Sequence, residues 1–194
     1  MTSNISARLP TEFGDFNVFT FPSESELHPH VVLFHNLIDL SQPVPLRIHS
    51  ECLTGDVFGS KRCDCGYQLH ASMEYLSLYP GLLIYLRQEG SGIGLMNKLE
   101  AYMLQDQGMD TVEANHQLGF EADLRTYEVA ALILKEKGIT TVDLLSNNPD
   151  KREHLEENGI KVNKMIPIIK PMDEFNRKYL EVKRNKMGHL LPLV

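Results

Sequence analysis

Short apolar runs alternate with helix-patterned stretches from the middle of the chain onward, an alternation that sets a mixed α/β fold as the expected architecture. The runs are Leu82–Leu86, Thr141–Leu145 and Lys161–Ile166. Upstream, Phe16–Phe21, Val31–Phe34 and Leu46–His49 have the same apolar or β-branched character between turn signals. Helices are predicted over Tyr67–Leu78, Ile93–Gln107, Leu124–Lys137 and Asp150–Asn158. Gly138 and Gly159 follow the last two helices at the position where a left-handed residue commonly ends one. The stretch from Pro22 to Pro45, with four prolines, reads as a variable surface region. With 194 residues and no composition shift, repeat or low-complexity tract, residues 1–194 are expected to form a single domain.

The formal net charge of −7 makes binding of nucleic acid by a broad basic face an unsuitable role. No signal peptide or membrane-length apolar run is present, so a cytoplasmic protein with no membrane partner is expected. A small phosphorylated ligand needs only a local group of cations, for which Arg47, Lys61, Arg62, Lys98, Arg125 and Lys151 are candidates.

All three cysteines, Cys52, Cys63 and Cys65, fall between Ser50 and Gly66. Three thiolates without a fourth cysteine match a catalytic zinc, which keeps one position open, better than a structural zinc, which is closed by four protein ligands. Gly55, Gly59 and Gly66 let the backbone bend around an ion, and Lys61 and Arg62 offset the charge of the thiolates. Two other readings stay open: buried thiols, or a disulfide with one spare, and a closed site completed by His49. A disulfide suits a reducing compartment poorly.

Three loops carry polar chemistry. Arg87-Gln-Glu-Gly-Ser-Gly-Ile-Gly94 follows a strand and opens a helix bearing Lys98, a natural cradle for phosphate oxygens. Its glycine spacing matches neither the dinucleotide fingerprint nor the Walker A pattern, and a tight connection explains it almost as well. At Leu144–Lys151, Asn148 can cap a helix and Pro149 can begin it, which sets Lys151 where anions are favoured, although a solvated lysine explains it too. Thr111 to Arg125 reads as a polar recognition loop. Asp123 and Arg125 within it are either a surface ion pair or a proton acceptor with a charge clamp.

Taken in order, Arg47-Ile-His-Ser-Glu-Cys-Leu-Thr-Gly-Asp56, Arg62-Cys-Asp-Cys-Gly66, Arg87-Gln-Glu-Gly90, Ala101-Tyr-Met-Leu-Gln-Asp-Gln-Gly108, Thr111 to Phe120, Ser146-Asn-Asn-Pro149 and Lys186-Met-Gly-His189 closely resemble GTP cyclohydrolase II, from about Leu9 to the C-terminus. The resemblance implies a single-domain α/β fold with a mixed sheet flanked by helices, usually a homodimer. It also implies an activity: opening of the imidazole ring of GTP with release of formate and diphosphate, giving a diaminopyrimidinone ribosylamine 5′-phosphate, the entry step of riboflavin synthesis. By motif matching, one zinc would be held by Cys52, Cys63 and Cys65, and magnesium would accompany the triphosphate. GTP would be bound by Arg47, Ile48, His49, Ser50, Glu51, Gln68, Glu89, Gly90, Ser91, Thr111, Ser146 and Lys151. Asp123 would accept a proton, Arg125 would act on phosphorus, and Tyr102 would lie near the ring being opened.

Three positions depart from the family pattern. Ser91 stands where arginine is usual, which removes a cation from the expected phosphate loop and leaves Lys98 as a substitute. Leu86 stands where histidine is common, and Ser146 replaces threonine while keeping its hydroxyl. A paralogue with altered substrate or an incomplete reaction, a GTP-binding regulator without turnover, and a structural-zinc module therefore remain as alternatives.

Overall fold

The computed structural model describes residues 5–23 and 27–191, so residues 24–26 of the proline-rich stretch lie outside the described residues. The chain forms two compact units, each built from three separated stretches. The first comprises Met1–His49, Leu69–Arg87 and Thr126–Ile168; the second comprises Ser50–Gln68, Gln88–Arg125 and Ile169–Val194.

The first unit is organised by a seven-stranded sheet of β1 (Ala7–Thr11), β2 (Gly14–Phe21), β3 (His30–Phe34), β4 (Val44–Ser50), β5 (Leu82–Leu86), β6 (Thr141–Leu145) and β7 (Lys161–Ile166), in the order β1-β2-β3-β5-β4-β6-β7. The β1–β2, β2–β3 and β3–β5 pairs are antiparallel, whereas β4–β6 and β6–β7 are parallel, so the sheet is mixed as expected. Alternation along each strand sorts its side chains between two faces. Phe19, Phe21, Val32, Leu46, Ile48, Leu82, Ile84 and Leu86 point to the main core with the apolar side of α5 (Glu128–Glu136). Phe16, Leu33 and Leu83 point the other way, against Met73 and Leu76 of α2 (Cys65–Leu78). Leu86 is fully buried, so the position where histidine is common is here an apolar core position. Asn148 caps α6 (Pro149–Glu157) by accepting from Asp150 N at 3.0 Å, with Pro149 as the first helical residue.

The second unit holds the single turn α1 (Leu53–Asp56), the start of α2, a 3₁₀ turn at Glu89–Gly92, α3 (Gly94–Asp106), α4 (Thr111–Gln117) and α7 (Arg177–Lys186). The 3₁₀ turn and α4 pack on α3, and α7 packs on α4.

The differences from the sequence expectations have local causes. β1 carries no apolar run; four of its five residues are exposed, and it is held by backbone pairing to β2 at the edge of the sheet, where Arg8 and Pro10 blunt it against further pairing. The polar stretch read as a recognition loop begins with α4, because Asp110 and Glu113 form a reciprocal capping box. The helix expected from Leu124 starts only at Glu128. Leu124 N is taken by the Ser91 carbonyl at 2.9 Å, and Asp123 caps Arg125 N at 3.0 Å in a local turn that competes with helix.

Candidate functional site

Cys52, at the start of α1, and Cys63 and Cys65, at the start of α2, bring their sulfurs within 4.8 Å of one another. All three are free thiols, which removes the disulfide reading. Cys52 Sγ and Cys63 Sγ are 3.8 Å apart, and two sulfurs at tetrahedral angles about 2.3 Å from a zinc would be separated by about 3.8 Å. The donor set therefore fits zinc. The space at its centre depends on Gly55: a Cβ there would lie 2.9 Å from Cys63 Sγ, 3.0 Å from Cys65 Cβ and 3.1 Å from Cys52 Sγ. Asp56 locks the turn by accepting from Cys52 N at 3.0 Å.

Hydrogen bonds from Cys63 and Cys65, aided by the charge of Lys98, hold Cys52 well below the ordinary thiol range. The bond to Cys52 pushes Cys63 up to about 11, and Cys52 and Cys63 raise Cys65 as well. A divalent cation would displace the remaining protons.

The cation on the sulfur is Lys98, not Lys61 or Arg62. Lys98 Nζ lies 3.1 Å from Cys52 Sγ and 2.7 Å from Glu89 Oε1. Burial opposes its charge, but the Cys52 thiolate and the Glu89 carboxylate hold the ammonium above its ordinary value. Lys98 is thus engaged elsewhere than in the phosphate-binding role expected of it. Lys61 lies 5.0 Å from the Phe175 ring, and Arg62 pairs with Asp106 and stacks on Tyr102 at 4.8 Å. Glu89 also accepts from Leu53 N at 2.6 Å and Gly90 N at 2.8 Å. Gly90 and Ser91 both adopt left-handed backbone, with φ of 62° and 59°, and turn the loop toward α3.

A cavity in this unit is lined by the three cysteines and by nine other residues expected to be functional: Ser50, Glu51, Arg62, Gly90, Ser91, Lys98, Tyr102, Thr111 and Arg125. Tyr102 OH is 3.4 Å from Thr54 Oγ1, and burial raises its phenol so that it stays neutral. Arg125 grips Asp123 through Nε at 2.8 and 3.0 Å and through Nη2, a two-oxygen ion pair that is mostly buried. Gln68 donates to Asp64 Oδ2 at 2.6 Å. Asp64, between two of the cysteines, is buried and also bound by Lys183 at 2.8 Å. Lys170 donates to the Cys63 carbonyl at 3.1 Å, and Tyr179 of α7 lines the cavity.

The remaining expected residues belong to the sheet unit. Arg47 donates to the Leu145 carbonyl at 3.0 Å and lies 3.3 Å from His49 Nδ1, while His49 stacks on Tyr85 at 5.4 Å. Among the described residues, the group able to hold a metal consists of the three cysteines without His49. The Ile48 side chain is sealed in the core, and its carbonyl accepts from Lys151 Nζ at 2.8 Å. Ser146 Oγ accepts from Asn148 N at 3.0 Å, shaping the turn into α6.

Sequence reasoning missed the role of Lys98 and the contributions of Thr54, Asp64, Tyr179 and Lys183. For Lys98 a signal existed, because it precedes Tyr102 by four residues and so shares its helix face. For α7 there was none in the apolar pattern, since the helix is largely charged.

A model of the GTP cyclohydrolase II family matches residues 2–167. A GTP cyclohydrolase-2 of Picrophilus torridus is 52% identical over 185 residues, covering 95% of this chain and 96% of that protein. A GTP cyclohydrolase-2 of Campylobacter fetus is 51% identical over 189 residues, covering 97% of this chain and 95% of that one. The riboflavin biosynthesis protein RibBA of Bacillus cereus is 48% identical over 194 residues, covering 100% of this chain and 49% of that protein, so the chain spans about half its length.

Proposed function

We propose, from the premise that this chain belongs to the GTP cyclohydrolase II family, that it hydrolyses GTP for riboflavin synthesis at a zinc held by Cys52, Cys63 and Cys65, releasing formate and diphosphate. The observation that carries the zinc is the convergence of three sulfurs within 4.8 Å, two of them at the 3.8 Å spacing of tetrahedral ligands, in a cavity that Arg125 and Tyr102 also line. Zinc in an open three-thiolate site supplies Lewis acidity, making water acidic enough to attack an imidazole carbon near neutral pH.

The residues of the chain divide the remaining work. The buried Ser50 hydroxyl has no protein partner among the described residues, and a nucleotide in the cavity supplies one. Arg125 acts as a charge clamp on the leaving diphosphate, since a guanidinium keeps its proton and has no lone pair with which to attack phosphorus. Its present partner is Asp123. A phosphate that takes over the guanidinium fork releases the carboxylate to accept a proton, which links departure of diphosphate to proton transfer. Tyr102, neutral and held by Thr54, offers a hydroxyl beside the ring being opened. Arg47, Ile48, His49, Glu51, Gln68, Glu89, Gly90, Ser91, Thr111, Ser146 and Lys151 bind GTP or shape the loops that do. Magnesium accompanies the triphosphate, and residues 1–194 act as a single catalytic domain of a cytoplasmic homodimer.

Purified protein with zinc, magnesium and GTP is expected to release formate and diphosphate together, and Cys63→Ser to abolish formate release. If zinc-loaded wild type binds GTP yet yields neither product, the chain is a GTP-binding protein without turnover and the proposal falls.

A further inference from the structure

The ammonium of Lys98 sits between two chemistries, the metal-binding thiolate of Cys52 at 3.1 Å and the carboxylate of Glu89 at 2.7 Å. The Tyr102 ring centroid lies 5.8 Å from Nζ. The side chain is only 11% exposed. Glu89 is equally committed: one oxygen takes Leu53 N and the other takes Gly90 N as well as Lys98. The stem of Lys98 passes so close to Gly90 that a Cβ there would lie 3.1 Å from the Lys98 Cβ. These contacts form a strut from the glycine-rich turn, through Glu89 and Lys98, to the first cysteine of the metal loop.

We propose that Lys98, braced by Glu89, is a positioning residue that fixes the Cys52 sulfur and draws electron density from it, and that it is not a ligand of substrate phosphate. The inference rests on the metal site proposed above. Three thiolates around a divalent cation leave a net charge of about −1. A lysine ammonium donating to one sulfur offsets that charge and weakens the sulfur as a donor, which keeps the cation a stronger Lewis acid than three unassisted thiolates would. With two of its three N–H groups committed to sulfur and carboxylate, and its charge already balanced by both, the ammonium is poorly placed to serve a phosphate as well.

The test uses the full chain loaded with cobalt(II), without nucleotide. Lys98→Met is expected to move the thiolate-to-cobalt charge-transfer band to lower energy, because loss of the ammonium raises the sulfur lone pairs, and Lys98→Arg to hold the band near its wild-type position. In the zinc enzyme, Lys98→Met is expected to lower kcat for formate release roughly 10- to 100-fold, with KM for GTP within a factor of about 3. An unmoved band, or a KM increase on the order of 10-fold with kcat intact, overturns the proposal. Should Lys98→Met fail to fold, Lys98→Gln serves instead: it removes the charge while keeping a polar side chain and must move the band to lower energy, and no movement again overturns the proposal. A wild-type protein without the band defeats the metal site, and this inference with it; a band present in wild type and unchanged in the variants defeats the inference alone.

Discussion

Gly55→Ala puts a methyl group where the three cysteines converge. The new carbon would stand 2.9 Å from Cys63 Sγ, 3.0 Å from Cys65 Cβ and 3.1 Å from Cys52 Sγ. The shortest ordinary contact is about 3.5 Å, so the Cys63 sulfur must retreat by about 0.6 Å. Metal–ligand distances tolerate only about 0.2 Å. Gly55 lies in a helical turn and does not need a left-handed backbone, so the substitution acts through crowding alone. Overpacking of this kind costs about 1–3 kcal/mol. Charged against the metal-bound state, that corresponds to zinc affinity weaker by about 5- to 150-fold. Competition with a chromophoric chelator measures the affinity, and circular dichroism checks that the variant is folded. A folded Gly55→Ala protein that binds zinc as tightly as wild type would refute the reasoning, because the sulfurs would then have yielded without losing their convergence.

Three further outcomes are expected. Ser91→Arg restores a cation to a residue lining the cavity and should lower KM for GTP on the order of 10-fold, read by steady-state formate release; an unchanged KM would show that the missing guanidinium does not matter. His30 is held below its ordinary 6.5 by burial and then by Arg87, so the unfolded chain binds its proton first as pH falls. Stability is therefore complete above that value and declines as pH drops below it, and urea unfolding at a series of pH values should show this slope flattened in His30→Gln. Lys183→Met removes the ammonium 2.8 Å from the buried Asp64 carboxylate, and should cost about 3 kcal/mol, or roughly 6–12 °C in Tm by calorimetry.

Much of the sheet was legible because short apolar or β-branched runs stand out between turn signals: Leu82–Leu86, Thr141–Leu145 and Lys161–Ile166 have the predicted bounds. β1 was not, since an edge strand held by backbone pairing needs no apolar signature. The metal cluster was legible because cysteine is scarce and its chemistry specific. Lys98 was read as a phosphate cation because charge alone does not say which anion a lysine will meet; burial beside Cys52 and Glu89 decides it, and burial is a tertiary property. Asp64 went unmarked for the same reason, as its partner Lys183 lies 119 positions away.

That separation bears on how the protein comes into being on the ribosome. Asp64 stands between Cys63 and Cys65 and is enclosed with a counterion drawn from α7, more than a hundred residues later. Until α7 has been synthesised, the carboxylate must keep its water, and the loop carrying Cys63 and Cys65 stays open around it. Nascent chains should therefore complete the proposed zinc site only once α7 has emerged.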